Sequence, residues 1–133
     1  MCKVSSSVHF AAKLHGNSHE GTAHAHWNPN TDVYLTEGGL VVKVELAGMR
    51  SEHLEITVEG NRLTIRGDRS DGCRAANARF LQMAINYGPF LTELELPPGY
   101  DLGLAKAAYL NGFLRIDVPV VVGHSKTAKL VIA

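Results

Sequence analysis

The sequence predicts an all-β chain folded as an antiparallel β-sandwich, and three observations predict it. Between Val33 and Val118 the apolar residues mostly fall two apart in short runs, so each run lies along one face of a strand. Turn residues punctuate these runs at nearly regular spacing: Glu37-Gly38-Gly39, Gly60-Asn61, Pro97-Pro98-Gly99 and Asn111-Gly112. The stretch Ala107 to Pro119 sets an Asn-Gly pair between two apolar runs, a strong hairpin signal because both residues tolerate positive φ. Leu114, Ile116 and Val118 then share one face, with Phe113, Arg115 and Asp117 on the other. Pro119, without an N–H, ends the ladder.

Taken in order, residues 1–27 form an arm rich in Ser, His and Gly with scattered apolar positions. It cannot bury enough to fold alone and is expected to stay mobile or to order against another subunit. Val33 and Leu35 begin the alternation. Leu40, Val42, Val44 and Leu46 face one way while Lys43 and Glu45 face the other. Leu54, Ile56 and Val58 form the next apolar face, and a hairpin leads to Leu63-Thr64-Ile65, which Gly67 is expected to end. Asp68 to Arg79 is a polar loop. Phe80 to Ile85 reads as an extra strand with Leu81, Met83 and Ile85 on one face. Phe90, Leu94 and Leu96 align on a further strand. Leu104 to Leu110 is short and Ala-rich, a strand or a helical turn, with strand favoured by the flanking turns.

Composition bounds the function. With 133 residues, 45% hydrophobic and 20% charged, the chain suits one globular domain that gains from self-association. Lys+Arg and Asp+Glu each number 13, so no cation excess supports sequence-blind nucleic-acid binding. Cys2 and Cys73 imply neither a disulfide framework nor a zinc cluster. No apolar run approaches the roughly eighteen residues of a membrane span. The first residues, broken by His9, Lys13 and His15, make a poor signal peptide. A cytoplasmic location is expected.

The ordered pieces resemble a known family. Trp27-Asn28-Pro29 with Asp32-Val33-Tyr34, Val44-Glu45-Leu46-Ala47-Gly48-Met49, and Leu63-Thr64-Ile65-Arg66-Gly67-Asp68-Arg69 are similar to successive motifs of the small heat-shock proteins. So are Gly88-Pro89-Phe90, Leu94-x-Leu96-Pro97, the Ala107, Asn111, Gly112, Leu114 signature, and the terminal Leu130-Val131-Ile132. The resemblance covers about residues 27–132 and is of the bacterial type. It implies an immunoglobulin-like β-sandwich, the α-crystallin domain, over 28–119, with an arm at 1–27 and an extension at 120–133. Two departures stand out: Thr92 and Glu93 where many members carry arginine, and Ala84-Ile85 where a Glu-Arg pair is frequent.

By this resemblance Leu130, Val131 and Ile132 anchor an oligomer. They would dock in a groove between the strand of Leu54, Ile56 and Val58 and the strand of Leu104 and Ala108. Pro119 to Leu130 spans up to roughly 36 Å when extended, enough to reach a neighbour; a final strand of the domain's own sheet is the alternative. Phe80, Leu81, Met83 and Ile85 would pair with a partner's sheet in a swapped dimer, the alternative being a surface loop plus a strand within the same chain. Strand addition needs only the unpaired backbone of an edge.

Other chemistry finds little support. His9, His15, His19, His24 and His26 crowd the arm, but no carboxylate or cysteine set completes a metal shell. Asn28-x-Asn30-x-Asp32 lacks the glycine and bidentate acid of a calcium loop. Ser125 has no nucleophile-elbow context, and no Walker-type phosphate loop exists. With these set aside, the resemblance implies a non-enzymatic, cofactor-free, ATP-independent chaperone. It would be a holdase for unfolded or partly folded clients, working as an oligomer of dimers. A monomeric β-sandwich adaptor of the co-chaperone kind, binding one folded partner, is the alternative.

Overall fold

A computed structural model describes residues 26–121 and 128–132. Its strands are β1 (Thr31–Thr36), β2 (Gly39–Glu45), β3 (Leu54–Glu59), β4 (Arg62–Arg69), β5 (Gly88–Glu95), β6 (Lys106–Leu110), β7 (Phe113–Pro119) and β8 (Ala128–Lys129). Two single 3-10 turns, Ser51–His53 and Leu102–Leu104, complete the elements. One sheet has the order β1-β2-β7-β6 and the other β5-β4-β3-β8. The chain is an all-β sandwich, as the alternation predicts.

Two compact units divide the chain. Asn28–Gly67 with Leu91–Ala133 is one; its core is the set of period-two residues. Antiparallel pairing puts Val42 beside Ile116 and Val44 beside Leu114, and it puts Ile56 beside Ile65 and Val58 beside Leu63. All eight are essentially buried, and burying each such side chain contributes roughly 1.5–3 kcal/mol. The second unit holds, among the described residues, 26–27 with Asp68–Phe90. There Phe90 is buried, with its ring 5.2 Å from that of Trp27.

The structure departs from the sequence expectations at several points. β4 runs through Gly67 to Arg69: Gly67 still pairs with Leu54 on β3, and β5 neighbours β4 on its other side. Phe80 to Ile85 forms no strand; a strand needs a neighbouring edge, and the described residues supply none there. The 104–110 stretch divides: the Asp101 carboxylate accepts from the Gly103 N–H at 2.9 Å and caps the 3-10 turn, so β6 starts only at Lys106. Val33 and Leu35 pair with Val42 and Leu40 yet stay 44% and 64% exposed, since edge strand β1 has a neighbour on one side only. Conversely Val41, on the polar face of β2, is buried.

Candidate functional site

The tail lies along one side of the sandwich. Without β8, strand β3 ends one sheet and β6 ends the other, so unpaired backbone lines that side. Lys129 pairs with Thr57, and Ala128 with Val58. The Leu130 N–H donates to the Ile56 carbonyl at 3.3 Å, and Ile132 bridges to Ala107 on β6. One extended segment thus touches the edges of both sheets. Leu130 and Ile132 are half-buried while Val131 is exposed, the alternation a docked strand requires.

Of the residues assigned to the groove from sequence, Leu54, Ile56 and Val58 are buried on β3, whereas Ala108 and Leu104 are exposed. Ala107 supplies the β6 contact with the tail. Its signal was present in the period, because Ala107 stands opposite Ile116 on the core face of β7. Leu104 instead lines a separate open groove with Leu40, Val118, Pro119, Lys106 and Asp117.

The signature turn explains its own residues. Asn111 and Gly112 both take positive φ, 53° and 83°, as a tight hairpin between β6 and β7 demands. A Cβ on Gly112 would lie 3.2 Å from the Ala47 Cα, and the Gly112 carbonyl accepts from the Leu46 N–H at 2.7 Å. Ala107 and Leu114 point into the core beside it.

Phe80, Leu81, Met83 and Ile85 are all exposed, Leu81 at 98%. The Arg74 guanidinium lies 4.8 Å from the Phe80 ring and 3.3 Å from the Asp71 carboxylate. Cys73, in the same loop, is disulfide-bonded, which the sequence reading did not anticipate. Where relatives were expected to carry arginine, Thr92 is buried and donates to the Asn28 side-chain oxygen at 2.8 Å. Glu93 lies 4.0 Å from Arg62.

Among the described residues no cluster of three or more His, Cys, Asp or Glu could hold a metal, and no helix is long and apolar enough to cross a membrane. The arm residues His9, His15, His19 and His24, and Ser125, lie outside the described residues. The outer face of the β1-β2-β7-β6 sheet carries paired charges: Arg115 and Asp117 meet at 3.0 Å. Hydrogen bonding to that carboxylate raises Arg115 above its ordinary pKa.

Two four-stranded antiparallel sheets, with a last strand on β3 and a bridge from Ile132 to β6, define a β-sandwich class. A profile of the Hsp20/alpha crystallin family matches residues 32–132. Small heat shock protein C2 of Rickettsia felis is 29% identical over 91 residues, covering 68% of this chain and 59% of that protein. The chain therefore spans less than two thirds of that relative's length. The 16.9 kDa class I heat shock protein 1 of Triticum aestivum is 32% identical over 107 residues, 80% of this chain and 70% of that protein. The crystal structure of hspA from Xanthomonas axonopodis superposes with a TM-score of 0.65 at 29% identity, covering 72% of this chain and 96% of that one. The chain belongs to the Hsp20/alpha crystallin family, the small heat shock proteins.

Proposed function

We propose that this protein is an ATP-independent holdase of the cytoplasm that binds non-native proteins and works as an oligomer built from dimers. The observation that carries the reading is the tail. It pairs with β3 through backbone groups and bridges to β6, so any extended segment with two apolar side chains two apart has the chemistry to replace it. Burying Leu130 and Ile132 is worth at most about 1.5–3 kcal/mol each, against roughly 1–2 kcal/mol of backbone entropy per ordered residue. One tail binds weakly and exchanges. Many tails in one assembly bind firmly. In this reading 28–119 is the body, 1–27 the client-facing arm and 120–133 the exchangeable extension.

Pairing into dimers uses the second uncovered region. Leu81, Met83 and Ile85 are exposed and lack a strand partner among the described residues, while β1 offers an edge with Val33 and Leu35 uncovered. A strand from one chain laid on β1 of another satisfies both. The partners are therefore further copies of this chain and proteins that expose apolar surface. Heat raises client exposure and loosens tail contacts together.

The test is light scattering from a heat-unfolding client with no nucleotide added. Suppression of aggregation near equimolar subunits is expected, and none at that ratio overturns the reading. One observation favours a monomeric adaptor instead: within a single chain the tail already fills its own groove. Native mass measurement on the full chain and on a form truncated after Gly123 separates the two. Monomers in both forms favour the adaptor.

A further inference from the structure

Arg69 is the last residue of β4, and its guanidinium meets the far end of the loop that follows. Its Nε and Nη2 both donate to the Asn86 carbonyl, at 3.0 and 2.8 Å. The same guanidinium lies 4.4 Å from the Trp27 ring and 5.8 Å from the Tyr87 ring. Trp27 in turn donates from its backbone N–H to the Pro89 carbonyl at 3.2 Å and from Nε1 to the Gly88 carbonyl at 3.0 Å. The two ends of the 70–85 segment are thereby tied to each other and to a single aromatic residue.

We propose that Arg69, stacked on Trp27, is a positioning residue that clamps the base of this loop and so presents Leu81, Met83 and Ile85 for pairing with a second copy of the chain. The proposal rests on the reading of that segment as the pairing strand. The chemistry selects arginine. A planar fork delivers two N–H groups to one carbonyl while its face lies on an indole, and lysine provides a point charge with no fork. Closing a loop costs chain entropy whether the closure occurs before or during association. A base closed in advance leaves less to be ordered on pairing, and that difference appears as affinity. The clamp also places Trp27, the last residue of the arm, in the same knot as the loop.

The test uses the full chain and the variants Arg69→Gln, Arg69→Lys and Leu81→Asp. Trp27 is the single tryptophan, so its emission reports the clamp without labelling. Arg69→Gln is expected to shift that emission to the red and to speed chymotryptic cleavage at Phe80. It should also weaken self-association about tenfold, from the lost cation–ring contact and paired hydrogen bonds. Arg69→Lys, which keeps a cation over the ring, falls between the parent and Arg69→Gln in all three, and it serves alone should Arg69→Gln fail to fold. Emission and cleavage that match the parent in the glutamine variant, or in the lysine variant where it stands alone, overturn the clamp. Self-association that Leu81→Asp leaves unchanged overturns instead the pairing reading beneath it, and with it the role assigned to Arg69, even where cleavage responds.

Discussion

The Leu130 amide donates to the Ile56 carbonyl across 3.3 Å, and two residues later Ile132 reaches Ala107 on the other sheet. The tail is held at both sheet edges by few contacts. Replacing Leu130 and Ile132 with alanine removes two half-buried side chains, a loss of roughly 1–2 kcal/mol each, part of which returns as chain entropy. The expected outcome is a tail that leaves the groove while the sandwich stays folded. Binding of an apolar dye should rise and the unfolding midpoint should drop by only a few degrees. Dye binding equal to that of the parent would show that the two side chains do not cover the groove.

Tyr109 joins β6 to the segment after β2. Its hydroxyl donates to the Leu46 carbonyl and accepts from the Met49 N–H. Tyr109→Phe keeps the ring and deletes both bonds, at about 0.5–1.5 kcal/mol each. For a body of this size about 1 kcal/mol moves the midpoint by roughly 4–8 °C, so a fall of at least that order is expected in a thermal melt. An unchanged melt would mean that water replaces both partners at no cost.

How far the sequence reaches depends on what alternation encodes. Period two records which face of a strand is buried, so Val42, Ile56 and Ile116 were legible. It is blind to cover from the side, which is why Val41, opposite Asp117 on one neighbouring strand and Tyr34 on the other, escaped notice. It also misplaces residues on an edge strand, as with Val33 and Leu35. The apolar pair in the tail could be read directly, but its seat follows from which strands end the two sheets. The Arg69–Trp27 stack has no local signal, because its members are far apart in the chain and neither belongs to a periodic run.

Gly39 and Gly38 offer a matched pair. Gly39 stands opposite Pro119 in the β2–β7 ladder, where its φ is 148° and an added Cβ would lie 2.2 Å from the Val118 carbonyl oxygen. That oxygen belongs to a paired backbone and cannot give way. At Gly38 the nearest atom to a Cβ is the Thr36 hydroxyl at 3.9 Å. Gly39→Ala is therefore expected to cost on the order of 3 kcal/mol or more, and Gly38→Ala to stay within about 0.5 kcal/mol of the parent. Urea unfolding of both variants checks the contrast; similar midpoints would refute it.

The edge of β1 gives the sharpest test of pairing between chains. Val33 and Leu35 are 44% and 64% exposed within one chain, so most of the apolar surface they hold is spent in water unless a second chain covers it. Replacing both with threonine keeps strand propensity, which β-branched residues favour, and removes the apolar gain. Exposed substitutions of this kind change chain stability by only about 0.5 kcal/mol each. Covering the two side chains in a dimer is worth roughly 1 kcal/mol each, so their joint loss should weaken self-association about 30-fold for each β1 edge that the dimer covers. Sedimentation across a range of concentrations reads this directly. A double variant that melts like the parent and dissociates at higher concentration supports β1 as the receiving edge, and one that dissociates at the parent's concentration removes it.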